Sequence, residues 1–235
     1  MGRAFEFRKA RKMKRWSAMA KTFTRIGKEI VMAVKAGGPD PDGNARLRAV
    51  MQNAKAANMP KDNVMRAIKN ASNKDTSDYK EIIYEGYGPH GVAVLVEAAT
   101  NNNTRTVANL RSDFKKSGGS LGVSGSVIFM FDHTCNFKIP KGELDAEELE
   151  LEFIDYGADE VFVEDEHIMI YSSFENFGAI QSALEERDIE IVTSGFERLP
   201  TTTKTLNEEE EMDMNKLLEK LEEDDDVLNV YHTMI

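Results

Sequence analysis

Six of the eight residues from Arg8 to Arg15 are basic (Arg8, Lys9, Arg11, Lys12, Lys14 and Arg15), and Trp16 follows them directly. Lys and Arg release counterions from a phosphate backbone, Arg grips phosphate with two parallel donors, and an indole can stack on a base. The chemistry of this run is therefore polyanion binding, with Trp16 either stacking on a base or anchoring the run to the first helix. Other groupings carry less. Gly86-Tyr-Gly-Pro-His-Gly91 has the spacing of a dinucleotide-binding turn, but Val92 to Val96 follows as a strand where a helix would have to open, so it reads as a hairpin turn. Gly118 to Gly125 lacks the Gly-Lys-Ser/Thr of a phosphate loop and reads as a flexible helix-to-strand connection. His90, His133, His167 and His232 have no metal-ligand spacing, and His133 with Cys135 finds no further ligand pair nearby. Cys135 reads as a small buried hydrophobe. The acidic runs Glu208–Glu211 and Glu222–Asp226 read as solvated faces. No catalytic residue, metal site or cofactor is expected, and an enzyme working in an interdomain cleft is the least supported class.

Charge is distributed unevenly along the 235 residues, whose formal total is -11. Residues 1–74 carry 18 Lys and Arg against 5 Asp and Glu, a net of +13, while residues 75–235 carry 12 against 36, a net of -24. A basic head followed by an acidic remainder points to a polyanion partner for the head. The longest unbroken apolar runs, Val92 to Val96 among them, are far too short to cross a membrane. One cysteine, no secretory signal and no myristoylation motif place the protein in a reducing compartment, the cytoplasm, with no membrane partner.

The elements that would carry these residues follow from periodicity. Residues 1–18 read as a basic arm ordered on its partner. Met19, Phe23, Ile26, Ile30 and Val34 recur at helical spacing and open a helical domain over 19–78. Leu47, Val50, Met51 and Ala54 mark its second helix; Val64, Ile68 and Ala71 mark the third, with Pro60 in its first turn. Lys21, Arg25, Arg46, Arg48, Lys55, Lys61, Arg66 and Lys69 fall on its outer faces and extend the candidate nucleic-acid surface. Ser72 to Asp78 reads as a linker.

Strand patterns then take over. Ile82–Tyr84, Val92–Val96 and Val127–Phe131 read as strands, with a helix through Val107, Leu110 and Phe114. From Asn136 the order is strand 137–139, helix 144–156, strands 161–163 and 168–171, helix 180–184 and strand 189–192, the βαββαβ order of a ferredoxin-like unit. A last helix (Met214, Leu217, Leu218, Leu221) and strand (227–231) supply what the 79–135 segment lacks. The expected architecture is multidomain α+β: a three-helix domain, then two ferredoxin-like α/β sandwich domains. One of these is discontinuous (79–135 plus 205–235), and the other, 136–204, is inserted into it.

Four long stretches resemble the YebC/PmpR family: Gly37-Gly-Pro-Asp-Pro-Asp-Gly-Asn-Ala-Arg-Leu-Arg, Ala54-Lys-Ala-Ala-Asn-Met-Pro-Lys-Asp-Asn-Val, Tyr84-Glu-Gly-Tyr-Gly-Pro-His-Gly-Val-Ala-Val and Gly118-Gly-Ser-Leu-Gly-Val-Ser-Gly-Ser-Val. The match is close to about residue 132 and continues beyond it in pattern. The resemblance implies a cytoplasmic bacterial protein with a helical N-terminal domain and two α+β domains around a cleft. The family is described as probable DNA-binding transcriptional regulators, and related members, including a mitochondrial translational activator, act on the ribosome at difficult sequences such as proline runs. Two departures stand out. Many members begin with a His-Ser-Lys-Trp stretch where this chain has Gly2-Arg-Ala-Phe-Glu-Phe, and His90 stands where the family is expected to have Gly.

The expected function is a nucleic-acid-binding regulator, foremost a DNA-binding transcriptional regulator, with the basic arm and helical domain on the phosphate backbone. The alternative is a ribosome-associated translation factor on large-subunit rRNA, its Gly-rich turns close to the RNA backbone. No base-reading code separates DNA from RNA. No small-molecule cofactor is expected, and a monomer is.

Overall fold

The structure, a computed structural model, describes residues 3–73 and 78–235, with side chains from Met19 onward. The side chains of Arg8, Lys9, Arg11, Lys12, Lys14, Arg15 and Trp16, and residues 74–77 of the expected linker, lie outside the described residues. The chain divides into two compact units, residues 1–76 and 77–235.

The first unit is three helices: α1 (Arg3–Gly37), α2 (Ala45–Ala56) and α3 (Lys61–Ala71). The helix expected from Met19 begins at Arg3, so the backbone of the basic run is helical and continuous with it. No Gly or Pro interrupts residues 3–26, and Ala, Lys, Arg and Met are strong helix formers. Ile26, Ile30, Ala33 and Val34 of α1 are buried, as are Leu47, Val50 and Ala54 of α2 and Val64, Ile68 and Ala71 of α3. Each set recurs at three- and four-residue spacing, the stripe a helix needs to bury one face. α1 packs against both shorter helices. Pro60 stands one position before α3, as its N-cap, not within the first turn.

The second unit holds two four-stranded antiparallel sheets. Sheet A joins β1 (Lys80–Tyr87), β2 (Ala93–Thr100), β3 (Ser120–Leu121) and β8 (Val227–His232) in the order β3-β1-β2-β8. Helices α4 (Asn103–Lys116) and α7 (Glu208–Glu223) cover one face through Leu110, Phe114, Met214, Leu217 and Leu221. Sheet B joins β4 (Phe131–Pro140), β5 (Ala158–Glu164), β6 (His167–Ser173) and β7 (Thr193–Pro200) in the order β5-β6-β4-β7. Its helices are α5 (Ala146–Phe153) and α6 (Phe177–Glu186), packed through Leu149, Phe153, Ile180 and Leu184.

Sheet B has the ferredoxin-like spatial order, second-third-first-fourth. Sheet A does not: its order is third-first-second-fourth, so of the two expected ferredoxin-like sandwiches only sheet B has that strand order. In sheet A, β1 and β2 form a hairpin, and the edge strand β8 arrives from the far end of the chain.

Several strands differ from their sequence-based positions. Val127–Phe131 does not pair as a strand of sheet A. Val127 and Phe131 instead bury against Ala93 and Leu95, and a 3-10 turn spans Ile128–Met130. The third strand of sheet A is the two-residue Ser120–Leu121 within the Gly-rich stretch. β4 runs unbroken across the expected 135/136 boundary, so sheet B takes in residues from Phe131. The strand expected at 189–192 lies at Thr193–Pro200. Ile191 is spent closing the core of sheet B, and the pairing falls to a polar segment along β4. The helix expected over 144–156 is α5 followed by a 3-10 turn, Ile154–Tyr156, ended by left-handed Gly157.

Candidate nucleic-acid interface

The geometry of the first unit begins at the loop between α1 and α2. Asn44 caps α2: its Oδ1 accepts from the Leu47 backbone N–H at 3.0 Å. Its Nδ2 donates to the carbonyls of Ala33 and Gly38, each at 2.8 Å. A side chain at position 37 would place its Cβ 2.8 Å from the Asn44 amide, so Gly37 is required there. Gly38 has φ +88°, a conformation that favours glycine. The Gly-Gly-Pro-Asp-Pro-Asp-Gly-Asn stretch is thus a lock between two helices.

Arg48 belongs to that lock. Its Nη1 donates to the carbonyls of Pro41 at 2.9 Å and Asp42 at 3.0 Å, so it shapes the loop and is not a freely presented phosphate ligand. Arg46, Lys55, Lys61, Arg66 and Lys69 are exposed, and Lys21 and Arg25 on α1 are half-buried. On α3 the spacing sets Met65, Arg66 and Lys69 opposite the buried stripe of Val64, Ile68 and Ala71. Asp62 shares that exposed face, at the helix N-terminus where a carboxylate suits the dipole. Lys28, which sequence reasoning did not single out, is buried on α1.

The second unit contains polar centres of another kind. Glu85 on β1 is 4% exposed and its carboxylate accepts from the backbone N–H groups of Gly125 (2.6 Å), Val127 (2.7 Å) and Ile128 (2.8 Å). Burial pushes its pKa up, but these backbone donors outweigh it and hold the carboxyl below the usual range. Together with the Gly122 N–H donating to the Glu85 carbonyl at 2.8 Å, this pins the Gly-rich stretch that was expected to be flexible. Its glycines have local causes: a Cβ at Gly119 would sit 2.5 Å from the Tyr87 carbonyl, and Gly118 and Gly125 have φ of +81° and +85°. Asp226, also buried, accepts from Thr100 (3.1 Å), Thr106 (2.8 Å) and Arg105 (2.6 Å), tying the start of β8 to the start of α4.

His90 turns the β1–β2 hairpin at φ +60°, with Nε2 3.4 Å from Asp213 and Nδ1 3.7 Å from Glu210, both on α7. His133 and Cys135 are each committed elsewhere. His133 stacks on Phe174 with ring centroids 4.0 Å apart, and the Cys135 thiol donates to the Ser173 carbonyl at 3.3 Å. Burial pushes that thiol up to about 11, which keeps it protonated and unreactive at neutral pH. Among the described residues no group of three His, Cys, Asp or Glu could hold a metal ion, and no helix is long and apolar enough to cross a membrane.

Sequence reasoning missed Glu85 and Asp226. Their donors lie 40 or more residues away or on other elements, so only the fold assembles them. Asn44 was legible in principle, as an Asn just ahead of an apolar helical stripe.

Comparison with known proteins finds the same organisation elsewhere. Residues 3–74 match the TACO1/YebC protein N-terminal domain, and residues 79–234 match the TACO1/YebC second and third domain. A probable transcriptional regulatory protein of Flavobacterium johnsoniae is 70% identical over 100% of this chain and 99% of its own length. One of Parabacteroides distasonis is 58% identical, over 100% of this chain and 97% of its own. The crystal structure of a conserved hypothetical protein from Aquifex aeolicus is 38% identical and superposes with a TM-score of 0.77, covering 92% of this chain and 90% of that one.

Proposed function

This chain belongs to the TACO1/YebC family, and we propose that it is a nucleic-acid-binding regulatory protein that acts on DNA as a transcriptional regulator through its basic first unit. The observation that carries the reading is the sorting of side chains on α2 and α3. Arg46, Lys55, Lys61, Arg66 and Lys69 are in solvent, while the apolar residues between them form the interior. The basic run Arg8–Arg15 adds charge on the same α1 helix. Relatives named probable transcriptional regulatory proteins support the regulatory role. Phosphate contacts would position the protein and give it affinity, and Arg48 and Asn44 would keep the helices in register for them.

A second reading, a ribosome-associated translation factor on large-subunit rRNA that relieves stalling at proline-rich sequences, is favoured by one observation. The exposed midline of α3 carries Asp62, Met65, Arg66 and Lys69, a face without the Asn or Gln that reads adenine in a major groove. Such a face suits recognition by phosphate and shape.

The test is fluorescence anisotropy of the full chain with a short DNA duplex and a matched RNA hairpin across a salt series. Affinity should fall steeply with salt, and the double variant Arg66→Glu with Lys69→Glu should lose about tenfold or more and flatten the salt slope by about two. Wild-type affinity in that variant, with the fold intact, refutes the assigned surface. Crosslinking in growing cells followed by sequencing of the recovered DNA and RNA decides the target. Reads at promoters support the DNA reading, and reads on large-subunit rRNA replace it with the second.

A further inference from the structure

The two faces of sheet B differ in chemistry. Residues 135, 137 and 139 of β4, with their cross-strand partners Ile170 and Ile168, point to α5 and α6 and form the core. The alternate residues face the other way, by the two-residue period of a strand. On that side Phe162 and Tyr171 stack with ring centroids 5.9 Å apart and planes 9° apart. Glu160 is directly opposite Tyr171, and Asn136 is its partner on the other flank. Gly195 lies opposite Asn136, and a Cβ there would meet only the Asn136 Oδ1, at 3.9 Å, so the sheet surface has a notch at that point.

Glu197 borders this notch, two residues along β7 on the same face. Its carboxylate lies near the Asn136 amide, and burial drives its pKa up. Burial, and after it the charges of Glu197, Glu164 and Glu160, raise the pKa of the Tyr171 hydroxyl. Lys138 pairs with Glu164 at 3.6 Å. Among the described residues no basic side chain pairs with Glu197 or Glu160.

An open four-stranded sheet with a stacked aromatic pair is the kind of surface on which RNA-binding modules lay bases. Here the carboxylates decide against that occupant, because a phosphate backbone would be repelled by Glu160 and Glu197. The same features favour a cation with an apolar stem: a half-buried carboxylate lacking a basic partner, an amide oxygen beside a notch, and an aromatic face for cation–π contact. We propose that this face of sheet B, centred on Glu197, Tyr171 and Phe162, is a docking site for a Lys/Arg-rich segment of a partner protein. A Lys or Arg side chain enters the notch at Gly195 to pair with Glu197, and its neighbours lie along Glu160 and the Phe162 ring. The site belongs to the second unit, and the proposed nucleic-acid surface belongs to the first. A protein so built would hold a polyanion by one unit and the cationic tail of a protein associated with that polyanion by the other.

The experiment titrates a fluorescein-labelled Lys/Arg-rich dodecapeptide into the full chain, without nucleic acid, at moderate salt. The peptide is expected to bind, Glu197→Gln to weaken it about tenfold, and Phe162→Ala about threefold. A control variant, Glu208→Gln with Glu209→Gln and Glu211→Gln on α7, removes more charge from the same unit and is expected to leave the affinity unchanged. Should Glu197→Gln fail to fold, the exposed Glu160→Gln carries the test, with a loss of about threefold expected. Absence of peptide binding, or an equal loss in the α7 control, overturns the proposal. Two results would assign the face to another occupant and overturn it as well. One is a Phe162→Ala loss seen with an RNA oligonucleotide and not with the peptide. The other is a wild-type dimer in sedimentation that Glu197→Gln converts to monomer, which would make the occupant the basic run of a second copy. Because no nucleic acid is present, failure here leaves the proposed function of the first unit standing.

Discussion

Sheets A and B each hold four antiparallel strands, in different spatial orders, and differ in what lies on their second face. In sheet A that face is covered: Ala93 and Leu95 of β2 bury against Val127 and Phe131, and Val92, Val94 and Val96 bury on the helix side. In sheet B the second face carries Lys138, Phe162, Met169 and Tyr171, all half-exposed. The sequence of each central strand records the difference. β2 reads Ala-Val-Leu-Val, apolar at successive positions, whereas β4 reads Thr-Cys-Asn-Phe-Lys-Ile and alternates polar with apolar. A continuous apolar strand is one buried on both faces even in an antiparallel sheet, and an alternating one leaves a face for water or a partner.

Truncations on the two second faces should therefore differ most. Leu95→Ala removes a fully buried side chain and is expected to cost about 2–5 kcal/mol, whereas Met169→Ala is expected to cost about 1 kcal/mol, both measured by denaturant unfolding. Equal costs would mean that the second face of sheet B is covered in solution. Next in size is Glu85→Gln, which leaves part of the backbone donor set of the Gly-rich stretch unsatisfied and is expected to cost about 2 kcal/mol at neutral pH. The folded-state pKa of Glu85 is depressed, so its contribution is present above the unfolded value, about 4.3, and is lost as pH falls through the folded value. The difference between wild type and Glu85→Gln should accordingly shrink below about pH 4. A pH-independent difference would show that the carboxylate charge is not what holds the loop. The smallest effect concerns the seam between the sheets, where Arg198 of β7 pairs with Glu97 of β2 at 3.2 Å and the Tyr231 hydroxyl donates to the Phe196 carbonyl at 3.2 Å. Arg198→Ala is expected to cost about 1 kcal/mol while leaving one cooperative transition; two resolved transitions would mean that this pair is what couples the sheets.

The helices were legible wherever an apolar stripe ran at helical spacing, as in α2, α3, α4 and α7. The strands were legible where apolar runs also paired, as in β2 and β6. Legibility failed where an apolar run served as a cover in place of a strand. Val127–Phe131 closes the second face of sheet A, and Ile191 closes the end of sheet B, while the pairing strand β7 is polar. Among the candidate binding residues, exposure at Arg66 and Lys69 follows from their positions opposite the α3 stripe, while Arg46 and Lys61 stand exposed in the first turns of α2 and α3. The commitment of Arg48 could not be seen, because its partners are backbone carbonyls of a loop whose shape only the folded chain defines.

The wiring of sheet A has a consequence for the order in which the protein is made. Synthesis runs from the N-terminus, and a domain can fold once its last element has emerged. Sheet B has all its strands once Pro200 is free, but sheet A waits for α7 and for β8, which ends at His232. Sheet B can thus be complete before sheet A, whose strands flank it in the chain. Until then, Val92, Val94 and Val96 lack the shelter of Met214, Leu217 and Leu221. The stretch of chain translated after sheet B is the one that ends the exposure of the most apolar strand among the described residues.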